Sequence, residues 1–148
     1  MMTDSLIREL DIRQEVLIRA PVDRVFKGLT VQIGEWWSHS YKDDRKGIYL
    51  EPKLGGRFYE DWGDGQGAIY ASVSAIESPR MLRLTGPMGM NFPVVGVIEF
   101  LLEERGSSTL VKLRHQAVGL IDEESMQGYQ TGWKELLNES FKQHVEGS

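Results

Sequence analysis

A chain of 148 residues is about one domain long, enough to bury roughly 68–70% of the surface its unfolded form would expose. It has no cysteine, which excludes disulfides, thiolate metal centres and thiol catalysis. A net charge of −5 argues against bulk nucleic-acid binding and against adhesion to anionic membranes. No apolar run approaches the roughly 20 residues of a membrane span, so the expectation is a soluble, cytoplasmic protein without membrane insertion.

Residues 1–11 read as an N-terminal tail and 12–146 as a single domain, with no linker, repeat or low-complexity segment between. The run 12–18 is the first predicted strand, stopped by Ala20-Pro21 because proline lacks a ladder donor. Pro21 suits the first position of a helix, and Val22, Val25, Phe26 and Leu29 follow at helical spacing. A second turn, 31–37, carries Ile33, Trp36 and Trp37, and the polar stretch 38–47 reads as a loop.

From Ile48 the hydrophobic period changes to two. Ile48 and Leu50, then 57–62, then 68–76 predict a meander, turned at Gly55-Gly56 and at the glycine-rich run 63–67. Strands 81–85, 94–103 and 109–117 follow, separated by the apolar loop 86–93 and the turn 106–108. The last segment, 122–146, predicts one long helix. Asp122 is its cap, and Met126, Tyr129, Trp133, Leu136, Leu137 and Phe141 form one stripe. The fold class is α+β: about six to seven antiparallel strands curved around a long C-terminal helix, with two short helices after the first strand. A twisted sheet wrapped around one helix leaves a space where the two diverge.

Several strings, in this order, carry a resemblance. They are Ala20-Pro21, Val25-Phe26 and Leu29-Thr30 with Trp36-Trp37 after them, then Pro52 and Gly55-Gly56-Arg57-Phe58. Next come residues 76–82 (IESPRML), 109–115 (TLVKLRH), and Gly132-Trp133 ahead of Leu136-Leu137. Over roughly residues 12–145 the chain resembles the START-like (polyketide cyclase-like) superfamily, in the branch similar to the activator of heat-shock protein 90 ATPase. The resemblance implies the helix-grip fold. Members of the superfamily carry lipids, sense hormones, cyclise polyketides or bind chaperones, so the fold alone does not fix the function.

Chemistry-bearing motifs are few. No serine sits in a nucleophile elbow, and His39, His115 and His144 have no ligand spacing. The acidic turn of Glu60, Asp61 and Asp64 departs from a calcium loop. The expectation is therefore no catalytic residue, no metal and no cofactor. His115 shares a strand face with Val111 and Leu113 and should point toward the helix, as a ligand handle or as a satisfied core histidine. Glu60 shares a face with Phe58 and Trp62, and if buried needs a partner, for which Arg57 and Arg83 are candidates.

The expected function is binding of a small apolar or amphipathic molecule between sheet and helix. The expected lining is Trp36, Phe58, Trp62 and Phe100 with Leu113, His115, Tyr129 and Trp133, where His115 and Tyr129 orient the polar end. Met88, Met90 and Phe92 suit an adaptable entrance. Two other readings stand beside it. One is a chaperone-like protein-interaction module, marked by an exposed patch outside the cavity. The other is a cyclase or dehydratase using Glu60 and His115 across a shared cavity. Monomer and homodimer are both open.

Overall fold

The computed structural model describes residues 6–43 and 45–147. Seven strands form one antiparallel sheet: β1 (Ile7–Ile18), β2 (Gly47–Leu50), β3 (Arg57–Gly63), β4 (Gln66–Glu77), β5 (Met81–Thr85), β6 (Val94–Arg105) and β7 (Ser108–Leu120). Their spatial order is β1-β7-β6-β5-β4-β3-β2, so only β1 departs from a simple meander, returning to pair with β7. Helix α1 (Val22–Leu29) and a 3₁₀ turn (Ile33–Glu35) join β1 to β2. The chain closes with α2 (Glu123–Glu135), a π-helical turn (Leu136–Phe141) and α3 (Lys142–Glu146), which together make the long C-terminal helix of a helix-grip fold.

Strand β1 begins at Ile7 rather than Ile12, so 7–11 belong to the sheet and not to a tail. Residues 1–5 of the expected tail lie outside the described residues. The early start follows from partners. β7 runs on to Leu120, and every β1 residue from Ile7 has a Cα opposite it, from Leu120 down to Thr109.

Alternation sets the core. Leu10, Ile12 and Val16 of β1, Ile98, Phe100 and Leu102 of β6, and Val111, Leu113 and His115 of β7 all face inward. The other face of β7 is solvated as expected, with Arg114 bonded to Asp11 and Lys112 to Glu103. Against the inner face, the last helix buries Trp133, Leu137, Phe141 and Val145 at successive spacings of four. That spacing survives because the π turn widens the helix locally.

Candidate functional site

Helix α2, the first half of the C-terminal helix, leaves a cavity of about 570 Å³ between itself and the sheet. Asp122 starts that helix as expected, its Oδ1 accepting from Ser125 N at 2.7 Å. Ser125, Gly128, Tyr129, Gly132, Trp133 and Leu136 then form one helical face along the cavity. Neither Gly128 nor Gly132 needs a left-handed backbone. A Cβ at Gly128 would meet nothing within 4 Å, so the missing side chain there is empty space.

The opposite wall comes from two loops. The segment after the 3₁₀ turn supplies Trp37, His39, Ser40 and Tyr41, and the loop between β5 and β6 supplies Met88 and Gly89. Tyr70 of β4 forms the floor between them. Trp37 packs edge-on against Phe58, Tyr70 and Trp133, at 5.0, 5.8 and 5.7 Å between ring centroids.

Glu60 fixes the first loop. Its carboxylate is fully buried and accepts from the backbone N–H groups of Tyr41 (2.9 Å) and Lys42 (3.0 Å). It also accepts from Trp62 Nε1 (2.8 Å) and the Tyr70 hydroxyl (3.1 Å). Burial alone would raise its pKa, but the four donors outweigh that and hold it below the usual carboxylate range. Neither expected arginine, Arg57 nor Arg83, is a partner of Glu60. Arg57 lies on the opposite face of β3 and pairs with Glu51, while Arg83 points outward from β5 and pairs with Glu99. Parity explains both, since residues one or three apart on a strand face opposite ways.

The second loop is fastened to both walls. Met88 N donates to Tyr70 O at 2.9 Å, and the Tyr129 hydroxyl donates to Met88 O at 2.7 Å. Met88 itself sits at φ 52°, a left-handed conformation uncommon outside glycine, and Gly89 follows at φ 92°. This is backbone strain held in place by the two bonds.

His115 lies behind the cavity wall, fully buried, with Trp133 Nε1 donating to its Nδ1 at 2.9 Å. That bond leaves the proton of the neutral ring on Nε2, which has no hydrogen-bond partner. Burial pushes its pKa down to about 4, so the ring is neutral at ordinary pH.

The eight expected lining residues therefore separate. Tyr129 and Trp133 line the cavity. Phe58, Phe100 and His115 form the layer behind it, touching Tyr70, Trp133 and Tyr129 by ring contacts, and Leu113 is buried on the inner face of β7. Trp36 turns away, donating to Gly28 O at 2.8 Å and packing on Phe141. Trp62 is half-buried beneath the Lys42 ammonium, which sits 4.9 Å from its ring. Met88 lines the cavity, whereas Phe92 is 63% exposed.

Trp37, Tyr70 and Tyr41 are the lining aromatic residues that sequence reasoning missed. A β-bulge puts Ala71 opposite Phe58 and Ile69 opposite Tyr59, leaving Tyr70 as the extra residue, turned inward beside Ala71. Tyr41 had one usable signal, an inward Glu60 that demands donors from somewhere nearby. Glu60 and His115 share no hydrogen-bond partner, and neither lines the cavity. Among the described residues, no group of three histidine or carboxylate side chains is placed to hold a metal. No helix of the described residues is long and apolar enough to cross a membrane.

Comparison with known proteins supports the fold. An uncharacterized protein from Rhizobium leguminosarum superposes with a TM-score of 0.71 at 18% identity, covering 97% of this chain and 98% of its own. CalU16 from Micromonospora echinospora gives 0.59 at 23% identity, covering 95% and 76%. A Staphylococcus aureus protein of unknown function gives 0.65 at 15%, covering 95% of each. No curated protein matches. Residues 19–146 match the family model described as "Activator of Hsp90 ATPase homolog 1-like protein". With this sheet, helix and coverage, the chain belongs to that family, within the START-like superfamily.

Proposed function

We propose that the protein binds a small apolar or amphipathic molecule in the cavity beneath α2, without covalent chemistry. The carrying observation is the cavity itself. Its volume of about 570 Å³ falls within the range of about 300–1,000 Å³ typical of small-molecule sites. Its wall pairs Trp37, Trp133 and Leu136 with a polar rim at His39, Ser40 and Ser125. The acid–base alternative gains no support, because Glu60 is ionised and saturated by four donors while His115 is sealed behind Trp133. Native mass spectrometry of the purified protein, compared with its denatured mass, tests the proposal. Extra mass lost on denaturation supports a captured ligand. An apo mass that stays apo after incubation with a panel of small amphiphiles contradicts it.

A second reading rests on a separate observation. On the outer face of the sheet, Val95 (67% exposed) stands opposite Val118 (43%), and Ile7 (74%) stands opposite Leu120. An apolar cluster there suits a protein contact, and the family description suggests a chaperone ATPase as the partner. The discriminating assay is the ATPase rate of an Hsp90-type chaperone with the wild-type chain and with Val95→Lys. Stimulation that the substitution abolishes supports this reading, and an unchanged rate with both removes it.

A further inference from the structure

We propose that the occupant of this cavity is an amphipathic organic cation, a protonated amine or quaternary ammonium, whose charged end lies among the tyrosine and tryptophan rings near the mouth. The inference rests on the binding reading above and adds the charge class of the ligand.

Three independent features point the same way. The first is charge. Asp122 and Glu124 are among the lining residues, and no lysine or arginine is. The nearby cations are occupied elsewhere. Arg45 donates to the carbonyls of Trp37 and His39, and Lys42 lies over Trp62. The positive end of α2 also opens here and would by itself favour an anion. Asp122 already caps it, however, and Glu123 and Glu124 fill its first turn. Arg8 acts on Asp122 from outside the cavity and reduces that carboxylate's share, leaving Glu124 as the charge at the mouth.

The second feature is the rings. Trp37, Tyr41, Tyr70, Tyr129 and Trp133 all line the cavity. Tyr41 tilts against Tyr70 at 5.1 Å and Trp37 stands edge-on to Trp133, so the rings differ in orientation and enclose space rather than stacking it shut. Aromatic enclosures of this kind attract ammonium groups through the ring quadrupole and exclude strongly hydrated anions.

The third is the direction of the hydroxyls. Tyr70 gives its proton to Glu60 and Tyr129 gives its proton to Met88 O. These two phenol oxygens therefore have only lone pairs left to offer, which favours positive charge over a carboxylate or phosphate beside them. One donor remains. Trp37 is 5% exposed and lines the cavity, and its Nε1 has no partner in full hydrogen-bond geometry, only a looser approach to the Tyr70 phenol. A hydroxyl, ether or carbonyl oxygen on the same ligand would satisfy it.

The test titrates the full chain, by calorimetry and by NMR of the indole N–H signals, with three probes that share one apolar body. These are (2-naphthylmethyl)trimethylammonium, 2-naphthylmethanol and 2-naphthylacetate. The cation is expected to bind at least tenfold more tightly than the anion. That advantage should shrink about threefold in Glu124→Gln and in high salt, while binding of the neutral alcohol stays unchanged. Binding of the alcohol and the anion at least as tight as that of the cation overturns the charge assignment and leaves the ligand-binding reading intact. Absence of binding by all three overturns both.

Discussion

The two halves of the C-terminal helix meet the same sheet in different ways. Past Leu136, every fourth residue is fully sealed. Leu137, Phe141 and Val145 are in the core, and Phe141 lies against Trp36. Before Trp133, the helix buries nothing completely. Met126 and Tyr129 are only partly covered, and Gly128 and Gly132 present no side chain to the space below. The comparison shows how one helix both closes a core and roofs a cavity. Large side chains spaced by four pull one half down, while two glycines and a capped end let the other stand off, tied by the Tyr129 hydroxyl to Met88 O and by Gln14 Nε2 to Gln130 O. The π turn sits at the junction, where such turns often accompany function.

The largest test of this contrast is Phe141→Ala in the closed half. It should lower stability by about 3–5 kcal/mol, the usual range for emptying a well-packed aromatic site, measured by denaturant unfolding. A loss under about 1 kcal/mol would mean that this half is not closed. The next effect comes from His115, which joins the two halves through Trp133. The unfolded ring takes up its proton near pH 6.5 and the folded ring only at about 4. Between those values the unfolded state holds more protons, so stability falls as the pH falls, by about 3 kcal/mol if the site stays shut. In His115→Phe that slope should vanish even though the variant starts less stable. An unchanged slope would show that water reaches the ring.

Glu60→Gln probes the cavity wall and should cost about 2 kcal/mol, because hydrogen bonds to a buried charge are worth more than neutral ones. The carboxylate is held below its usual range. Its contribution is therefore present above the unfolded carboxylate pKa and is lost as the pH falls through the folded one. A stability difference between wild type and variant that stays constant as the pH is lowered through the acid range would contradict that. The smallest effect has the opposite sign. Gly128→Ala meets no atom within 4 Å and removes a helix-interior glycine, so it should stabilise by about 0.5–1 kcal/mol. The same methyl intrudes on the cavity, so weaker ligand binding in a more stable protein would tie the glycine to the site.

How legible this was in the sequence follows the same division. Period and caps read correctly where side chains alternate without interruption. His115 faces inward with Val111 and Leu113, and Asp122 caps α2. The cavity wall was harder because it depends on departures from regular period. The bulge in β4 turns Tyr70 inward, where strict alternation with Ala71 would send it to solvent. Of the adjacent Trp36 and Trp37, the 3₁₀ turn beside them sends Trp36 toward Phe141 and Trp37 toward the cavity, and no hydrophobic pattern separates two neighbouring tryptophans. Tyr41 lies in a polar loop whose position is set by the Glu60 carboxylate, a contact 19 positions away in sequence. The start of β1 was missed because Ile7–Asp11 alternate weakly by themselves and are defined by the length of β7.

A ligand is expected to enter under the open half of the helix and not the closed half. The four tryptophans are built-in reporters of where it enters, each with one indole N–H signal. A ¹H–¹⁵N titration with 2-naphthylmethanol measures it most directly. Saturable shifts at Trp37 and Trp133, with Trp36 unmoved, are the predicted result. No shift at Trp37 and Trp133, or an equal shift at Trp36, would contradict it.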